Sequence, residues 1–126
     1  MIRYSYNRQV TPPAPFVHVT LRRPDGTGDL SDWPAQLDTG ADRSVIPRRV
    51  ADELGLTQLR EVSVARLGGD GMPMPTFLIQ ATIRQMRPLT VEMLASPGEP
   101  YVLLGRDVLN HYRIVLDGPQ LAFELD

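Results

Sequence analysis

The 126-residue chain contains no cysteine. Disulfides, thiolate nucleophiles and cysteine-ligated zinc are thereby excluded. Lysine is also missing: the 13 basic residues are all arginine, and they are scattered. Against 15 acidic residues they leave a formal net charge of -2. Neither a nucleic acid nor a membrane surface is expected as a partner, because both favour a basic patch. Long apolar runs are missing too. No stretch approaches the roughly 18 residues that span a bilayer. Residues 1–10 lack the apolar centre of a signal peptide, so a cytoplasmic location is the expectation. The two histidines, His18 and His111, are far apart and have no third ligand-like neighbour. No metal site and no cofactor is expected.

What is present suits one soluble domain. The apolar share is 42% and the charged share 22%, both ordinary for a globular protein. The length is enough for one core and too short for two full lobes. Twelve prolines and ten glycines cut the chain into short pieces, which favours strands and turns over long helices. Residues 1–14 are polar, end in Thr11-Pro12-Pro13, and read as an N-terminal arm before a domain over 15–126. Strands are predicted from Phe16 to Leu21 and from Trp33 to Leu37, separated by the turn Pro24-Asp25-Gly26-Thr27-Gly28. Pro47 opens a helix that runs to Leu54, and Gly55 stops it. Residues 59–67 and 75–83 flank Gly68-Gly69-Asp70-Gly71, a glycine-tipped hairpin. Further strands follow at 90–95 and 101–104, then a second short helix from Gly105. A terminal hairpin runs over 114–125 around Asp117-Gly118-Pro119. The sum is a mostly β, closed barrel-like fold with one or two short helices.

One segment carries chemistry: Ala35-Gln36-Leu37-Asp38-Thr39-Gly40-Ala41-Asp42. The apolar strand fixes the Asp38 carboxylate at the rim of the core. Thr39 can hydrogen-bond within or across the turn. Gly40 permits a tight bend and leaves space above the carboxylate for a substrate backbone. A solvated aspartate in a strand turn would look the same in isolation. A second segment, Tyr101-Val102-Leu103-Leu104-Gly105-Arg106-Asp107-Val108-Leu109, lies downstream. Two leucines followed by glycine and arginine lead there into a helix.

Taken together, Asp38-Thr39-Gly40-Ala41-Asp42 and Leu103-Leu104-Gly105-Arg106-Asp107 resemble the retropepsin family of aspartic peptidases. The resemblance in element order runs from about Phe16 to Leu125, and the glycine hairpin falls where that family has its flap. It implies an acid-protease-like fold and an aspartic endopeptidase acting as a homodimer. Asp38 would be the catalytic carboxylate. Thr39 would brace the paired loops across the twofold axis, and Gly40 would accept substrate backbone. Ala41 and Asp42 would contact substrate, and Asp42 would also pair with Arg106. Leu103 and Leu104 would pack behind the turn, and Gly105 would let the helix approach it. Gly68, Gly69, Asp70 and Gly71 would close over bound peptide.

One carboxylate cannot be both base and acid, and no second strand–Asp–Thr–Gly segment occurs in the chain. An isologous dimer with itself is therefore expected, acting on a peptide or protein substrate. There are departures from the family pattern. Asp70 stands near the flap tip, where an apolar residue is usual; it could disfavour acidic substrates or simply be solvated. Pro73 and Pro75 remove donors from one flap strand, so an unpaired or irregular flap is expected. Tyr101 could line a substrate pocket or pack at the core edge. Ile114, Leu116, Leu121, Phe123 and Leu125 could build a dimer sheet or only close the barrel. Two other readings stay open: a non-catalytic dimerisation or peptide-binding module, and a structural β-domain with an accidental motif.

Overall fold

A computed structural model describes residues 2–66 and 69–126. In chain order the elements are β1 (Ile2–Ser5), β2 (Phe16–Arg22), β3 (Leu30–Leu37), β4 (Val45–Pro47) and α1 (Arg48–Leu54). They continue as β5 (Gln58–Arg66), β6 (Gly69–Ile83), β7 (Leu89–Ser96), β8 (Val102–Leu104), α2 (Arg106–Leu109), β9 (Ile114–Asp117) and β10 (Ala122–Leu125). None of these helices is long and apolar enough to cross a membrane. Alternation sets the core. Val17, Val19 and Leu21 of β2 are buried, while His18 between them is exposed. Phe77, Ile79, Ala81 and Ile83 of β6 repeat the pattern. Period-two burial points one face of each strand inward.

The larger sheet has the order β2-β3-β8-β4-β7-β6-β5, and a further pairing of β2 with β6 joins it into a ring. Two of its pairings are parallel, β3 with β8 and β4 with β7. These parallel contacts bring the chain after β3 against the chain around β8. The two predicted segments therefore meet. Leu104 and Val102, both fully buried, form the floor beneath them.

The helix signals read from the sequence act as expected. Pro47 sits at the N-cap of α1 with φ -59°. Gly55 ends it at φ 62°, the left-handed region open to glycine. The second helix is short, covering four residues, Arg106–Leu109. The N-terminal segment contains more structure than a polar arm. Ile2–Ser5 pairs antiparallel with β10, and β10 pairs with β9, giving a separate three-stranded sheet. Tyr4 stacks on buried Phe123 there, ring centroids 5.0 Å apart. Tyr4, Phe123 and Leu125 link this sheet to the core.

The flap strands are paired, contrary to an unpaired flap, but irregular. β5 and β6 run antiparallel from Gln58↔Phe77 to Arg66↔Gly69, with register shifts near both ends. Pro73 and Pro75 are two residues apart, so both rings sit on the same flank of β6. Met74 between them and Met72 before them keep N–H groups for the other flank.

Candidate active site

The apolar strand β3 ends at Leu37, and the next backbone N–H, from Asp38, donates to the Leu104 carbonyl at 2.9 Å. That bond continues the parallel ladder by one residue and fixes where the carboxylate leaves the sheet. The turn then closes on itself. Gly40 N–H donates to Asp38 Oδ1 at 3.1 Å, and Ala41 N–H to the Asp38 carbonyl at 3.2 Å. An aspartate that accepts from the backbone two residues on stabilises such a turn. Asp38 is half-buried, and Thr39, Gly40 and Asp42 are exposed. Among the described residues, no ion pair or side-chain donor occupies the Asp38 carboxylate.

The second segment clasps the turn from behind. Arg106 N–H donates to the Ala41 carbonyl at 2.9 Å. Its guanidinium Nη1 donates to the Thr39 carbonyl at 2.8 Å. The expected Arg106–Asp42 ion pair is therefore replaced by a bond from Arg106 to backbone. With its own N–H on Ala41, the first residue of α2 lies over residues 39–41 and its side chain reaches back along them. Gly105 makes the close approach possible. A Cβ there would sit 2.7 Å from the Arg43 carbonyl carbon and 2.9 Å from the Ala41 oxygen.

Sequence reasoning missed the group that holds these parts together. Ser44 is fully buried. Its hydroxyl donates to Asp107 Oδ1 at 2.6 Å and accepts from Gly105 N–H at 2.9 Å. Its N–H donates to Asp107 Oδ2 at 2.9 Å, and its carbonyl accepts from Leu94 N–H. The available signal was a small polar residue directly before the apolar Val45-Ile46 strand, which had to find a partner. Removing the hydroxyl leaves a buried N–H unpaired, so Ser44→Ala should cost about 1–3 kcal/mol of folding stability. Urea unfolding with an unchanged midpoint would rule out this bracing role.

Two hollows lie between the flap strands and this loop. One, about 300 Å³, is lined by Asp42, Arg43, Leu94 and residues 62–65 of β5. The other, about 420 Å³, is lined by Val45, Val64, Leu94, Pro97, Glu99 and residues 72–75 of β6. Met72 and Met74 thus face an apolar wall. Gly69, Asp70 and Gly71 are exposed at the start of β6. Gly71 approaches Ser63 so closely that a Cβ would overlap its hydroxyl. Gly68, also expected in the flap, lies outside the described residues. Tyr101 lines neither hollow; it packs edge-on against Phe16 with centroids 4.9 Å apart. Leu103 is half-buried in β8 opposite Val45, and Leu104 is wholly buried behind the turn. An apolar hollow of about 400 Å³ beside Leu56 and Leu59 contains none of these residues.

Known proteins with this arrangement are aspartic proteases. The family described as "gag-polyprotein putative aspartyl protease" matches residues 31–111, well over half of the chain. A retropepsin-like aspartic protease from Rickettsia conorii superposes with a TM-score of 0.67 at 14% identity, over 98% of this chain and 88% of that one. EIAV protease, in complex with the inhibitor HBY-793, superposes at 0.51 with 28% identity, over 86% and 93%. The retroviral protease-like domain of Ddi1 from Leishmania major gives 0.52 at 16%, over 88% of each chain. No curated protein matches the sequence.

Proposed function

The chain belongs to the gag-polyprotein aspartyl protease family with a retropepsin-like fold, and from that premise we propose that it is an aspartic endopeptidase completed by a second copy of itself. The observation that carries the reading is the Asp38 turn: one carboxylate, free of ion pairs among the described residues, on a loop whose Asp42 and Arg43 face the first flap strand across a hollow. Two such carboxylates about 3 Å apart cannot both ionise, so a pair of Asp38 side chains shares one proton. Aspartic proteases are the type case of that coupling. The ionised member takes a proton from water as it attacks the scissile carbonyl carbon. The protonated member hydrogen-bonds the carbonyl oxygen and gives its proton to it. The tetrahedral diol then collapses: the carboxyl that took the water's proton gives it to the leaving nitrogen, and the other carboxylate takes back a diol proton as the C–N bond breaks. The titration belongs to the pair, not to either carboxylate.

The cleft suits an extended peptide. Backbone recognition by strand edges, with alternate side chains in pockets, is the corresponding mode. The wall formed by Val45, Leu94, Met72 and Met74 supports apolar side chains beside the scissile bond. A second copy has an edge to join. β9 borders the terminal sheet, and Leu116 and Val115 on it are exposed at 54% and 37%. An unpaired edge strand with apolar side chains is a template for another chain.

Digestion of a peptide library between about pH 3 and pH 7, alongside sedimentation, tests the reading. Cleavage should track the dimer fraction and should be blocked by a pepstatin-like inhibitor. A monomer that retained full peptidase activity would contradict it. Tight peptide binding without cleavage at any pH would select a non-catalytic binding module.

A further inference from the structure

Among the described residues, the largest cluster of ion-paired side chains lies at the base of the flap. Glu92 of β7 accepts two bonds from Arg60 of β5, one from Nε at 2.6 Å and one from Nη2 at 3.0 Å. Arg60 reaches it across the intervening strand β6. On its other side, the Arg43 guanidinium stands 3.8 Å from Glu92 Oε1. Arg43 directly follows Asp42 in the loop that begins at Asp38. The buried hydroxyl of Thr76 lies beside the same carboxylate and 3.2 Å from the Arg60 carbonyl oxygen, its single proton serving one acceptor at a time. One carboxylate therefore touches the first flap strand, the second flap strand and the loop of the candidate catalytic residue.

We infer that Glu92 is a positioning residue that sets the angle of the flap over the cleft by tying Arg60 to Arg43. The inference rests on the peptidase reading for its catalytic consequence, though not for its mechanical one. Exposed ion pairs usually contribute little. Here the Glu92 side chain is 22% exposed, the Arg60 contact is a two-pronged fork, and a second arginine shares the acid. Fork geometry restricts orientation as well as distance, which a single point contact does not.

The arrangement also suits acidic conditions. The Arg60 hydrogen bonds, then the Thr76 hydroxyl, then the charges of Arg60 and Arg43 lower the Glu92 pKa from 4.5 to about 2. A depressed folded-state value means that the contribution to folding is complete above about 4.5 and lost as pH falls toward 2. The carboxylate itself stays ionised in the folded chain through the window in which a shared-proton dyad works.

The test is Glu92→Gln, which keeps shape and removes charge, read by amide hydrogen exchange and by kinetics. Exchange over residues 58–66 and 72–76 should quicken by about tenfold while residues 16–22 stay unchanged, as for local rather than global opening. KM should rise by roughly threefold or more with kcat within about twofold, at every pH where Glu92 of the parent is ionised. The charge swap Arg60→Glu with Glu92→Arg rebuilds that pair but sets a like charge against Arg43, so it should restore exchange over residues 58–66 and leave KM raised. Unchanged flap exchange, or exchange raised equally in every strand, overturns the inference. If the wild-type protein cleaves nothing, the peptidase reading fails alone, and the exchange data still decide the tie.

Discussion

Asp38→Asn should lower peptide hydrolysis by at least about 10³-fold, the scale of a lost acid–base pair, and leave the fold in place. The amide is nearly isosteric with the carboxylate, and its Oδ1 can still accept the Gly40 N–H now at 3.1 Å. The bonds from Asp38 N–H to Leu104 and from Arg106 to Ala41 and Thr39 do not involve the carboxylate. What disappears is proton sharing. In a symmetric dimer the substitution changes both copies, so neither a base to activate water nor an acid to protonate the carbonyl remains. Circular dichroism and thermal unfolding should match the parent. Turnover at the parent rate would end the peptidase assignment.

Gly105→Ala should be the most damaging single methyl in the molecule. Its φ of -87° is open to any residue, so the obstacle is space and not backbone conformation. The new Cβ would meet the Arg43 carbonyl carbon at 2.7 Å, its oxygen at 2.8 Å and the Ala41 oxygen at 2.9 Å. All three are backbone atoms, which cannot turn aside as a side-chain end can. The Ala41 oxygen also accepts Arg106 N–H, and Gly105 N–H donates to buried Ser44. Making room therefore loosens the whole clasp. Overpacking costs about 1–3 kcal/mol, and against three backbone atoms the upper end is expected, which for a domain of this size lowers Tm by roughly 10 °C. Gly98→Ala is the control, since a Cβ there meets nothing within 4 Å. Equal melting of the two variants would refute the close-approach argument.

The features legible in the sequence are those whose cause is local. Gly55 ends α1 because of its own φ, and Pro47 begins it because of its own ring. The carboxylate turn reads from five consecutive residues. The features that were not legible join distant positions. Ser44 and Asp107 are 63 residues apart, Arg106 and Thr39 are 67 apart, and Arg60 and Glu92 are 32 apart. Which acid an arginine meets depends on the rotation of α2 and on strand order, and no periodicity encodes either. The strand at Ile2–Ser5 escaped for the same reason. Its Ile2 and Tyr4 alternate with Arg3 and Ser5, but its partner β10 lies at the other end of the chain. Tyr101 was ambiguous by position, and its T-shaped contact with Phe16 accounts for it as packing.

The parallel ladder between β3 and β8 has a consequence for how the protein matures. During synthesis Asp38 emerges long before Leu104, Gly105 and Arg106, the residues that give its turn a shape. Until they arrive, the acid sits on an unformed loop with no neighbour to aim it. Long-range pairings of this type close late, after their loop entropy has been met. The Asp38 carboxylate is thus organised only after that pairing has closed.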